Sequence, residues 1–190
     1  MKRIIFCIIF FLLITNPIFS QFKLTINGFV NYEDNNKNYV VANIEEHSKE
    51  VLYSNVLRYL TQVYSSPKEV LSTMENEVIT VNAIQPKQIP CKTLKYDIHY
   101  SFSISFRDGR MRFDSPAFTC KTFYSNKPYL LVMTGGNSGF GNEVKIGLFK
   151  KDGKRAQEKT IESIELFFNS FFSNICSAAE GSEISSNDDW

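Results

Sequence analysis

Histidine, tryptophan and cysteine are scarce in this chain, at two, one and four residues of 190. His47 and His99 have no second ligand at helical i+4 spacing, and no cysteine spacing resembles a zinc or redox motif. A metal centre is therefore not expected, and nothing in the pattern implies a cofactor. Six prolines and nine glycines exclude a fibrous repeat. No charge excess exists either: 21 Lys+Arg face 20 Asp+Glu, which excludes a polybasic nucleic-acid binder. No Asn-x-Ser/Thr triplet occurs, which suits a bacterial exported protein better than a eukaryotic glycoprotein. What the chain has in quantity is aromatic surface, with 17 Phe and 9 Tyr, and a 43% hydrophobic share. That content drives a packed core and excludes intrinsic disorder.

The amino terminus reads as an address. Met1-Lys2-Arg3 is a basic start, and Ile4 to Ile14 is an unbroken apolar run of 11 residues. Thr15-Asn16-Pro17 breaks it, and small Ser20 precedes Gln21. This is the layout of a secretory signal peptide. Eleven apolar residues are too few to span a bilayer, which takes roughly 20. Cys7 lies inside the run rather than after it, so a lipid anchor is not expected. Cleavage after residue 20 would leave 19 basic and 20 acidic residues, a net charge of −1. The expected organisation is a leader over 1–20, a single domain over 21–180 and a flexible acidic tail over 181–190. The expected location is the periplasm, the cell envelope or outside the cell, with no stable membrane span after cleavage. Cys91, Cys120 and Cys176 would remain, enough for one disulfide and a spare thiol.

The strongest pattern runs from Leu94 to Phe106. Every even position is apolar and every odd one polar, which predicts a long strand with one dry face and one wet face. Asp108-Gly109 follows, and Asp-Gly suits a two-residue hairpin turn. In that register Phe106 faces Met111, Ile104 faces Phe113, Ser105 faces Arg112 and Ser103 faces Asp114. The return strand would run to about Cys120, which would face Asp97. Cys91 would then lie six residues further along, roughly 20 Å away, so a Cys91–Cys120 disulfide is not expected.

Other elements have weaker signals. Ser48 to Tyr64 reads as a helix with Ser48 as cap, Glu50 in the first turn and Pro67 beyond its end. Leu52, Val56, Leu60 and Val63 form its apolar stripe. Lys68 to Met74 suggests another helical turn or two. Strands are expected over Tyr39–Ile44, Glu77–Ala83 and Tyr129–Met133. Val144, Ile146 and Leu148 suggest a further strand, and Phe22, Leu24 and Ile26 an edge strand. A final helix is expected over Ala156–Ala178, with a stripe at Ile161, Ile164, Phe168, Phe171 and Ile175. The economical arrangement is α+β: a curved antiparallel sheet with two helices packed on one face.

Particular segments carry a resemblance. Gly28-Phe29-Val30, Tyr39-Val40-Val41, Leu60-Thr61 with Tyr64 to Val70, Leu71 to Glu75, and above all Ser105-Phe106-Arg107-Asp108-Gly109-Arg110-Met111-Arg112 resemble an exported bacterial domain of unknown function. That domain is known mainly from Bacteroidetes and has a TATA-binding-protein-like fold. The resemblance covers residues 28–125, with an echo in the last helix. It implies a β-α-β-β-β-β-α order. It implies no activity, no site residue and no DNA binding, because function does not travel with a fold.

The candidate chemistries each meet a plain alternative. Thr134–Asn142 holds four glycines, but no Gly-Lys-Ser/Thr closes it, and a loop is expected rather than a phosphate cradle. Lys95, Asp97, His99, Ser101, Ser103 and Ser105 share the wet face. Side chains two apart on a strand are near 7 Å, too far for a His–Ser dyad. No catalytic residue is assigned. Phe167, Phe168, Phe171 and Phe172 form a double aromatic column, read as core packing with a lipid or partner face as the alternative. The expected function is a non-catalytic exported domain that binds a protein or small ligand of the envelope on the polar sheet face. An envelope hydrolase and a structural assembly subunit are the alternatives.

Overall fold

The computed structural model describes residues 21–136 and 141–181, so the leader and most of the acidic tail lie outside the described residues. Two short strands open it, β1 (Phe22–Thr25) and β2 (Gly28–Asn31). They form their own hairpin rather than an edge of the main sheet, contrary to the edge-strand expectation. Next come β3 (Tyr39–Asn43), α1 (Lys49–Val63) and the single turn α2 (Pro67–Val70). Ser48 caps α1 by accepting from the Val51 N–H, as its position predicts. Leu52, Val56 and Leu60 are buried, but Val63 is exposed in the last turn. The helical reading of Lys68–Met74 holds only to Val70: Leu71–Met74 is strand β4, paired with the next strand.

Seven strands separate the first helices from the last. After β4 come β5 (Val78–Cys91), β6 (Leu94–Arg107), β7 (Arg110–Asp114), β8 (Ala117–Tyr124), β9 (Lys127–Thr134) and β10 (Val144–Phe149), and α3 (Glu158–Ala179) closes the order. The main sheet runs β10-β9-β8-β6-β5-β4, with β7 also on β6 and β3 on β7. All its pairings are antiparallel except β9–β10, which is parallel. Strand β5 extends well past the expected Ala83 despite Pro86 and Pro90. Proline cannot donate to a ladder and is confined to open edges and bulges. Both conditions are met: β4 pairs only with Val78–Val81, and the β5–β6 register shifts between Gln85 and Ile89. Lys87 takes a positive φ in that bulge, and its N–H donates to Asp97 Oδ1 at 2.8 Å.

The Asp-Gly hairpin has the expected register: Arg107 opposes Arg110, Phe106 opposes Met111, Ser105 opposes Arg112 and Ile104 opposes Phe113. Pairing with β7 ends there, so the Ser103–Asp114 pair is not formed. At Ser115-Pro116 the return strand breaks. The corner is held by the Ser115 N–H donating to Asn38 O and its hydroxyl to Phe29 O. The chain re-enters as β8 with one residue extra, so Cys120 opposes Ile98 rather than Asp97. One residue of slip exchanges the faces of a strand, and here it turns Cys120 into the core.

The even residues of β6 are buried from Tyr96 to Phe106, and the helices pack over them. Helix α3 lies between the sheet and the β1–β2 hairpin. Phe172 meets Phe102, Phe113 and Phe22 at ring separations of 5.1, 4.9 and 5.4 Å, while Phe168 meets Phe29 at 5.1 Å. A helix enclosed on two sides needs more than one apolar column, which accounts for the doubled phenylalanines. Phe167 and Phe171 are half-buried and pack against Tyr100. The hairpin is docked by side chains as well as rings. Asn169, on the buried stripe of α3, accepts from the Gln21 and Phe22 N–H groups and donates to Phe22 O. Glu165, one turn earlier, accepts from the Leu24 N–H at 2.8 Å and from Arg155 at 2.6 Å.

Candidate functional site

Two surfaces result from this packing. The first is the outer face of the sheet, which the helices leave bare. Lys95, Asp97, His99, Ser101, Ser103 and Ser105 all project there, with Lys95 and His99 exposed and the others half-buried. The register places Ile84 and Thr119 on either side of His99, and Asn82 and Ala117 on either side of Ser101. Ser103 Oγ and Thr80 Oγ1 share a hydrogen bond at 2.9 Å. Among the described residues no hydrogen bond joins His99 to a serine. Cys91, buried on β5, and His99, exposed on β6, sit on opposite faces, and no group of three possible metal ligands occurs among the described residues.

The outer face is not uniformly polar. Val41, Met74, Ile84 and Phe123 are exposed and share it, because each stands in register with an odd position of β6 or with its neighbours. One corner is basic: Arg107 and Arg110 oppose each other. Beside them Arg112 pairs with Asp114 at 2.8 Å and lies over the Tyr39 ring. The exposed apolar positions on β3, β4 and β8 were invisible to a reading centred on one strand. Their facing depends on partners that only the assembled sheet specifies.

The second surface is the end of the dry face that α3 does not reach. Here the Cys91–Leu94 turn, β8, β9 and β10 surround a cleft of about 600 Å³. Tyr96 is fully buried at its floor. Burial, together with Cys91, Tyr129 and Cys120 nearby, pushes the Tyr96 hydroxyl up to about 12. Burial likewise pushes the Cys120 thiol up to about 12. Both groups are protonated at neutral pH, which makes them poor bases and nucleophiles. Cys91, Cys120 and Cys176 are all unbonded. No sequence pattern marked this cleft, since its lining comes from four separated segments.

The glycine-rich connection between β9 and β10 has a packing role at its start. A Cβ on Gly147 would lie 2.0 Å from the Gly135 carbonyl oxygen, so the two backbones touch where no side chain fits. Residues 137–140, the middle of the expected loop, lie outside the described residues.

No family model matches the sequence, and none of the curated proteins matches it. Solved structures do. A TBP-like protein from Parabacteroides distasonis superposes with a TM-score of 0.56 over 76% of this chain and 92% of its own, at 20% identity. The fold is TBP-like. A DUF4468 family protein from Bacteroides ovatus has the same architecture, with a TM-score of 0.54 over 80% of this chain and 88% of its own, at 10% identity. The TBP-like fold agrees with the one expected from the sequence, although seven strands rather than four lie between the first helices and the last. At these identities the likeness concerns architecture and carries no site residues. No helix among the described residues is long and apolar enough to cross a membrane.

Proposed function

We propose that the chain is an exported, non-catalytic domain of the periplasm or cell envelope that binds a protein partner through the outer face of its sheet. The leader pattern of residues 1–20 supports the location. The carrying observation is the composition of the bare face: hydroxyls and charges from β6 interspersed with exposed Val41, Met74, Ile84 and Phe123. Exposed apolar side chains set among hydroxyls and charges give that face the mixed composition of a protein-contact surface. The hydrolase alternative has less support, because Tyr96, the shifted group that lines the cleft, is held protonated. For the assembly alternative, the open stretch of β5 is a poor template for strand addition because of Pro86, Pro90 and the bulge. The test is capture from envelope extract by wild type and by a Ser101→Arg, Ser103→Arg, Ser105→Arg triple variant of equal thermal stability. The triple variant is expected to lose specific partners. Identical partner lists remove the sheet face from consideration.

A further inference from the structure

The dry face of the sheet is longer than the helices that cover it. Beyond them Leu94, Tyr96, Tyr124, Tyr129, Val144 and Ile146 enclose the cleft, whose volume of about 600 Å³ suits a small molecule. Tyr124 and Tyr129 stand edge to face at 6.2 Å. The Tyr96 hydroxyl, though buried, has no hydrogen-bond partner among the described residues. A buried hydroxyl left unmatched is destabilising, and native structures match such groups with water or ligand.

We infer that this cleft binds a small, uncharged, ring-bearing molecule that offers an oxygen acceptor to the Tyr96 hydroxyl. The tyrosine rings favour a flat partner, since aromatic faces and edges pack in stacked and T-shaped pairs. Leu94, Val144 and Ile146 supply apolar walls. Lys145 on the rim is already joined to Glu143 at 2.6 Å, which neutralises its charge toward a ligand. The hydroxyl stays protonated to high pH, so it serves as a donor. Binding there is independent of the outer face, which lies on the other side of the sheet.

The test titrates the purified protein with 2-acetylnaphthalene and its near-isostere 2-isopropylnaphthalene, followed by NMR shifts of the tyrosine rings. Wild type is expected to prefer the ketone about 3- to 10-fold, the worth of one net hydrogen bond. Tyr96→Phe keeps the ring, and is expected to abolish that preference while retaining the hydrocarbon. Ile146→Trp, which fills the cleft, is expected to prevent binding of both. The Ser101/Ser103/Ser105→Arg variant is expected to bind both as wild type does, which separates this site from the sheet face. Absence of saturable binding by wild type, or a ketone preference unchanged in Tyr96→Phe, overturns the inference. The Tyr96→Phe comparison decides it even where Ile146→Trp fails to fold.

Discussion

Asn169 provides the sharpest test of how the amino-terminal hairpin is held. It sits on the buried stripe of α3, between Phe168 and Phe172 in the helical repeat. Periodicity alone says that a leucine there would add apolar burial and stabilise the protein. The structure says the opposite. The Asn169 amide accepts from Phe22 N at 2.9 Å and Gln21 N at 3.1 Å, and donates to Phe22 O at 2.9 Å. Asn169→Leu removes all three bonds and leaves an aliphatic group against backbone polar atoms. At about 1 kcal/mol of net stability per bond, the loss is about 3 kcal/mol, and the added apolar burial offsets about 1 kcal/mol of it. A net loss of about 2 kcal/mol would shift the urea midpoint of the purified protein down by roughly 1 M, for a slope of about 2 kcal/mol per M. Equilibrium unfolding followed by circular dichroism measures it. A midpoint unchanged or raised in Asn169→Leu refutes the docking role of this side chain.

Other outcomes follow from the same packing. Phe172→Ala should cost about 3–5 kcal/mol, since the ring is fully buried and meets four others; thermal or urea unfolding reads this directly. Gly147→Ala should weaken the β9–β10 pairing, because the added methyl meets the Gly135 carbonyl; faster amide exchange in β10 with the core amides unchanged is the signature. Stability should also fall with alkali. Burial raises the folded-state pKa of Cys120 from 9.0 to about 12, Cys176 from 9.0 to about 11 and Tyr96 from 10.0 to about 12. The unfolded chain therefore loses these protons first, so their contribution is complete below pH 9 and is lost progressively between about pH 9 and 12. A melting temperature that stays level or rises across that range contradicts the assignment. Below the unfolding transition Cys120 should resist a disulfide reagent at pH 8 and react once denatured.

Periodicity and turn chemistry determined much of the fold. Alternation over Leu94–Phe106 and the Asp-Gly turn specified a strand, its faces and three of the four partner pairs expected for it, because period and turn geometry act over a few residues. A cap and a 3.6-residue stripe did the same for α1, and the stripe alone for α3. Tertiary context decided what local patterns cannot carry. The prolines of β5 are tolerated because β4 is short and the β5–β6 ladder bulges beside them. A single extra residue at Ser115-Pro116 turned Cys120 inward. The β1–β2 hairpin left the sheet because α3 offered it Asn169, Glu165 and a wall of phenylalanine. The composition of the outer face and the tyrosine cleft were likewise beyond sequence reading. Each is assembled from strands distant along the chain, and their juxtaposition exists only once hydrogen-bonded ladders and a shared core bring them together.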